Sequence, residues 1–345
     1  MKRNQIIFAA AVTLSLVLGS TAMAAPGSGY TVTKKFEIGG EGGWDYFIYD
    51  TAGKRLFISR GAHVIVVDAA SGKVTGDIPD TPGVHGIALA PDLGRGFTSN
   101  GRDNSVSIFD LKTLKVSGKV KTGENPDAIL YDPASKRLFT FNGRSKDSTV
   151  IDAANGTVLA TIPLGGKPEF AVADGKGMVY VNNEDTAEIM AIDAAKATVT
   201  ARWKMTGCEG PSGLAMDTKH RRLFAGCDNK VMAIVNADTG KTVATPAIGE
   251  GVDACAFDPS TGMAFSSNGG DGNLTVIHED SPDKYTVVEN VPTQKGARTM
   301  TLDPTTHTAY VVTASFGPKP EPTKDNPRGR PPMLPNSFVL LVVSK

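Results

Sequence analysis

Asp127-Ala128-Ile129-Leu130-Tyr131-Asp132-Pro133-Ala134-Ser135-Lys136-Arg137-Leu138-Phe139-Thr140-Phe141-Asn142-Gly143 contains the unit that decides the fold. An apolar run ends at Asp132 and a Pro/Ser turn follows. A second run of aliphatic and aromatic residues starts at Arg137, and Asn142-Gly143 closes it with a tight turn. Short runs bounded by such residues read as paired strands. The same form opens at Asp45, His85, Glu169, Ser212, Asp253 and Arg298 as well as at Asp127. Successive starts lie 40, 42, 42, 43, 41 and 45 residues apart. Each copy adds a third strand, as in Val64-Ile65-Val66-Val67-Asp68 or Val106-Ser107-Ile108-Phe109-Asp110, and then a fourth. A period near 42 with four strands is the length of a WD40-like propeller blade.

Seven starts predict an all-β, seven-bladed β-propeller with four-stranded antiparallel blades. The last copy ends on its third strand, residues 338–343, and the missing fourth is found at residues 30–38. Pairing these two termini closes the ring and removes exposed sheet edges. Helical periodicity is absent beyond the first residues.

The chain has 345 residues, 36 basic and 36 acidic, for a formal net charge of +0. Neutrality gives no global pull toward nucleic acid or an anionic membrane. Residues 1–24 read as a cleaved signal peptide: Lys2 and Arg3, an apolar run from Ile6 to Leu18, then Ala22-Met23-Ala24. The run is short for a spanning helix. Residues 25–345 are therefore expected as one soluble propeller domain, periplasmic or secreted, with no membrane span after cleavage and monomeric.

Units of the form Asp-Pro-x-x-x-Arg-Leu-Phe, then Asn-Gly, then x-Val-x-Val-x-Asp, resemble the YVTN-type (YncE-like) periplasmic propellers. Those are similar in fold to the haem d1 domain of cytochrome cd1 and to lactonase-type propellers. The resemblance spans nearly all of the chain after residue 24. It implies fold and compartment and leaves function open, since propellers host unrelated activities and DNA binding is known for one relative. No Cys-x-x-Cys-His occurs, which argues against covalent haem.

Superimposing the copies puts Asp45, His85, Asp127, Glu169, Ser212, Asp253 and Arg298 at one rim of the central channel. Glu41, Glu124, Glu209 and Glu250 precede four of them, and Asn100, Asn142, Asn182, Asn183 and Asn268 end second strands on the same rim. Convergent carboxylates, an imidazole and amide oxygens suit a cationic ligand. They also suit a divalent cation, Ca²⁺ or Mg²⁺ on oxygen or Zn²⁺ on mixed ligands, with Asp45, Asp127, Glu169 and Asp253 as candidate metal ligands. His85 is the candidate general base. Inert, water-filled polar rims are equally common. No G-x-S-x-G elbow or Ser-His-Asp order marks a serine hydrolase.

A Pro-rich insertion, residues 314–336, leaves from this rim. Its Lys319, Lys324, Arg328 and Arg330 suggest a lid over the acidic funnel, or a flap with no role. The opposite rim carries Lys54-Arg55, Arg95, Lys136-Arg137, Lys176, Lys219 and Arg221-Arg222. A basic face suits phosphate, but no aromatic residues interleave for base stacking. Of the three cysteines, Cys208 and Cys227 are expected to pair across one blade, leaving Cys255 as a buried thiol.

Three readings follow. The first is a binding or scaffold module holding a small molecule, cation or protein partner at the acidic rim. The second is a metal-assisted hydrolase or lyase, lactonase-like, using the same rim. The third is a nucleic-acid binder. The binding module leads, because no complete catalytic constellation is visible.

Overall fold

A computed structural model describes residues 27–322, 324, 329 and 331–345. The expected signal segment, residues 1–24, lies outside them, as do Pro327, Arg328 and Arg330 of the insertion. Among the described residues no helix is long and apolar enough to cross a membrane.

Seven four-stranded antiparallel sheets form the expected propeller. Blades 1 to 6 occupy residues 47–78, 84–121, 126–163, 168–204, 211–244 and 252–292. Blade 7 takes Thr299–Asp303, Thr308–Thr313 and Val339–Ser344 from the end of the chain and Thr31–Glu37 from its start. The two terminal strands pair antiparallel from Thr31↔Ser344 to Glu37↔Val339.

Alternation within the blades dictates the packing. Both faces of the middle strands are buried, so strands such as Arg55–Arg60 and Arg137–Asn142 are almost continuously apolar. The hydrophobic core is consequently not one body. It consists of seven clusters, each shared by two adjacent blades. Phe57 meets Phe109 between blades 1 and 2, with ring centroids 5.8 Å apart. Val312 and Leu340 meet Ile58 and Ile65 where blade 7 returns to blade 1. Inner strands approach so closely that a Cβ on Gly213 would lie 2.5 Å from the backbone nitrogen of Cys255. Only glycine fits that spacing.

The basic residues of the far rim serve this packing. Arg55, the first residue of its second strand, donates to Leu111 O in the next blade at 2.7 Å. Arg95 reaches Ala153 O at 3.3 Å and Arg137 reaches Ala194 O at 2.8 Å. Blade 4 has Met178 at this position, and Tyr180 Oη donates to Ala237 O at 3.4 Å instead. Arg222 donates to Pro282 O at 2.7 Å and pairs with Asp283 at 3.0 Å. Arg221 is spent on Asp174 and Asp238, and Lys136 on Asp92. The expected free basic face is therefore largely a set of blade-to-blade clasps. Lys54, Lys176 and Lys219 stay exposed on turns.

Cys208 and Cys227 form a disulfide, with Cα atoms 5.5 Å apart. It ties the loop entering blade 5 to the end of that blade's second strand. Cys255 is a buried free thiol that burial pushes up to about 12.

The clasps make a contrast testable. Arg137→Met removes a charged donor from a buried carbonyl and is expected to cost about 1–3 kcal/mol in urea unfolding. Lys136→Ala, which breaks an exposed pair, is expected to stay within about 0.5 kcal/mol of wild type.

Candidate functional site at the channel mouth

The register breaks where the inner strands of blades 2 to 6 begin. Pairing shifts between Val84 and Ile87, Pro126 and Ile129, Pro168 and Ala171, Pro211 and Leu214, and Val252 and Ala254. Bulges of this kind re-aim side chains, and here they contain the opening residues. The penultimate residues of the second strands hold the opening residues' backbone. Ser59 accepts from Asp45 N at 2.9 Å, Ser99 and Ser267 donate to the carbonyls of Asp127 and Arg298, and Asn182 donates to Ser212 O at 3.0 Å.

The seven opening side chains do converge, as the repeat predicts. His85 Nδ1 lies 2.6 Å from Asp45 Oδ2 and 3.6 Å from Asp127 Oδ1. Arg298 pairs with Asp253 at 2.9 Å and stands 3.8 Å from Asp45. Ser212 Oγ donates to Asp253 Oδ1 at 3.2 Å. Glu169 pairs with Lys167 at 3.1 Å, and Lys167 also holds Glu184.

The mouth is therefore not the plain acidic funnel expected. Its four carboxylates are interleaved with His85, Arg298 and Lys167. Glu41, Glu124, Glu209 and Glu250 point to solvent. The cavity at the mouth, about 660 Å³, is lined by Trp44, Asp45, His85, Arg102, Arg144 and Arg298 among others. Arg102 and Arg144 are exposed and have no carboxylate within ion-pair distance among the described residues. Gly101 makes room beside them, since a Cβ there would meet His85 Nε2 at 2.7 Å.

Asn100, Asn142 and Asn268 require correction as ligand-binding residues. All three are fully buried. Their amides donate within their own blades, to Ser105 and Ser107, to Asp147 and Thr149, and to Asn273 and Thr275. Their oxygens accept from Thr98, Thr140 and Ser266. As strand-terminal residues on an interior face they close the hairpin and leave nothing for a ligand. Asn182 and Asn183 are buried likewise.

Electrostatics follow from burial. Desolvation opposes charge on His85, but its hydrogen bond to Asp45 and the fields of Asp127, Asp45 and Glu169 outweigh it and hold the imidazole up at about 9. The ring is a cation at neutral pH, which removes it as a free general base. Burial, with neighbouring carboxylates, pushes Asp127 and Glu169 upward. Burial also raises Asp253, against the pull of Arg298. For a divalent ion the structure groups Asp45, His85 and Asp127. Of the expected ligands, Glu169 and Asp253 stay outside this group, occupied by Lys167 and by Arg298 with Ser212.

Tyr46, unnoticed in the sequence, floors the mouth. Its hydroxyl reaches across from blade 1 to donate to Glu169 O at 3.3 Å, and its ring lies 5.3 Å from Phe170. Beneath it the channel continues as an apolar cavity of about 220 Å³ lined by Ile48, Ile129, Phe170, Met300 and Leu302. At the rim, Trp44 packs 6.0 Å from Phe316, which opens the Pro-rich insertion, and Phe316 bridges to Met333 near that insertion's end. Arg102 and Arg144 were signalled by a repeated tripeptide, Asn100-Gly101-Arg102 and Asn142-Gly143-Arg144.

No family model and no curated protein sequence matches the chain. Solved structures match the fold. A chain of hydrazine synthase from Kuenenia stuttgartiensis is 17% identical with a TM-score of 0.69, over 86% of this chain and 96% of that one. A chain of the mitotic checkpoint complex is 15% identical with a TM-score of 0.72, over 99% of each. The U3-55K structure is 10% identical with a TM-score of 0.72, over 88% of this chain and 96% of its own. The chain is thus a seven-bladed β-propeller.

His85, Asp127 and Glu169 all hold protons more tightly when folded than when unfolded. Each therefore contributes stability that is present below its ordinary value and lost as pH rises through its raised one. The urea midpoint is expected to fall from pH 6 to pH 9, with a shallower fall in Glu169→Gln. By NMR the His85 ring should titrate near 9, and Asp45→Asn should return it toward its ordinary value of about 6.5.

Proposed function

We propose that this protein is an exported binding module whose channel mouth captures a small ligand bearing an anionic group, a carboxylate or a phosphate. One observation carries the reading: Arg102 and Arg144 line the mouth beside Arg298 and His85, with no carboxylate paired to the first two among the described residues. Planar guanidinium forks match carboxylate and phosphate oxygens in pairs. The carboxylates below them fix Arg298 and His85 in place, and Trp44 offers an apolar wall for the rest of the ligand.

The finer assignment, a YVTN-type (YncE-like) propeller of the periplasm, belongs to the same proposal. It is supported by the signal-like residues 1–24 and by the Cys208–Cys227 disulfide, which persists in oxidising compartments. Cell fractionation should find the protein outside the cytoplasm. Finding it in the cytosol with both thiols reduced would sink this assignment.

A second reading, a divalent ion on Asp45, His85 and Asp127, has the grouping of those donors in its favour. Calorimetry separates the two. Citrate and inorganic phosphate are expected to bind wild type and to bind Arg102→Ala and Arg144→Ala at least about tenfold more weakly, a loss of about 1.4 kcal/mol or more. Anion binding unchanged in both variants, or binding of Mg²⁺ or Zn²⁺ abolished by Asp127→Asn in its place, would defeat the anion reading.

A further inference from the structure

A second cluster lies on the opposite face, between the first turn of blade 5 and the third strand of blade 6. The repeat shows how it departs from its neighbours. In five blades the residue after the third strand's terminal Asp or Asn donates its backbone N–H to the preceding first turn: Ala69 to Lys54 O, Leu111 to Gly94 O, Ala153 to Lys136 O, Ala194 to Gly177 O and Ala237 to Arg221 O. In blade 6 the same bond runs from Glu279 N to Gly262 O at 2.8 Å. A glutamate thus occupies the slot that four other blades fill with a buried alanine. The third strand of blade 6, Asn273–Ser281, is longer than its counterparts and carries Glu279 into that slot.

The Glu279 side chain is only 3% exposed, and its Oε1 accepts no hydrogen bond. A buried carboxylate oxygen left in this state is costly and calls for a partner. It faces His220, whose Nδ1 lies 3.3 Å from Glu279 Oε1 and 2.8 Å from Asp217 Oδ2 without an aligned hydrogen bond to either. His220 is itself a departure, since the same turn position holds Gly53, Ser135, Thr261 and Thr306 elsewhere.

We infer that Asp217, His220 and Glu279 form a binding site for a divalent transition-metal ion of the Zn²⁺ class. Their donor atoms all lie within 4.8 Å of one another. One imidazole nitrogen and two carboxylate oxygens are the mixed set that Zn²⁺ accepts, and three protein ligands leave a fourth position open. The backbone orients the set. Asp217 accepts from Lys219 N at 2.8 Å and His220 N at 3.1 Å, and Arg222 Nη1 donates to His220 O at 2.8 Å. The neighbouring guanidiniums of Arg221 and Arg222 are paired with Asp174 and Asp238 and with Asp283, so their charges are already matched. The imidazole side chain is 35% exposed, which provides the route in. This site stands independently of the channel mouth.

The test uses the full chain without a polyhistidine tag, stripped with a chelator, and carries Asp127→Asn throughout so that the mouth cannot contribute a metal. Zn²⁺ is titrated against a chromophoric chelator, and Co²⁺ is followed by its visible absorption. The parent is expected to take up one ion per chain. Glu279→Ala installs the residue of four other blades and should fold, and it should bind at least about tenfold more weakly, as should His220→Gln. Absence of binding in the parent, or equal binding in Glu279→Ala, would overturn the assignment and leave the cluster a proton-sharing carboxyl pair.

Discussion

The structure depends on one geometric constraint: seven inner strands must pack around a common axis while each blade buries both of its faces. A single sheet offers no closed core. The cores arise between blades, so every blade shares its apolar faces with two neighbours, and the last neighbour of blade 7 is blade 1. Every other device serves this closure. The clasps from Arg55, Arg95, Arg137 and Arg222 fasten the wide outer part of adjacent blades. Arg60, almost fully buried, donates to the carbonyls of Gly39, Glu41 and Gly42 and stacks on Phe338. It thereby anchors the chain between the strand borrowed from the N-terminus and Asp45.

The same closure creates the mouth. Seven equivalent positions meet at small radius, so whatever residues stand there must tolerate one another. Four carboxylates alone would repel. The sequence places His85 between Asp45 and Asp127, and Arg298 between Asp253 and Asp45, an alternation of sign around most of the circle. Low local dielectric strengthens each of these contacts and fixes the ring. What remains uncommitted is the outer wall, where Arg102 and Arg144 stand.

The blade count, the strand shared by the termini, the Cys208–Cys227 pair and the convergence of the seven opening residues were all legible, because each follows from register in a repeat. What was not legible depends on which way a side chain turns at a strand end. Asn100, Asn142 and Asn268 sit at the rim in sequence, yet one step of alternation turns them inward. Tyr46 follows Asp45 directly and was hidden because it stands just before the paired strand Phe47–Asp50, where the pleat does not yet set a side chain's direction. The far-rim arginines read as surface charge, since nothing in one blade's sequence shows that a carbonyl of the next blade waits for each. The mouth's sign was misjudged for a related reason: the count added Glu41, Glu124, Glu209 and Glu250, which face solvent, and omitted Lys167 and the turns that carry Arg102 and Arg144.

Tyr46 gives the ring a consequence that its outline hides. Propellers are drawn with a hole, but here a phenol spans the axis from blade 1 to blade 4 and rests on Phe170. The phenol therefore stands between two unlike spaces on one axis, a polar cavity at the mouth and an apolar one lined by Ile48, Ile129, Phe170, Met300 and Leu302.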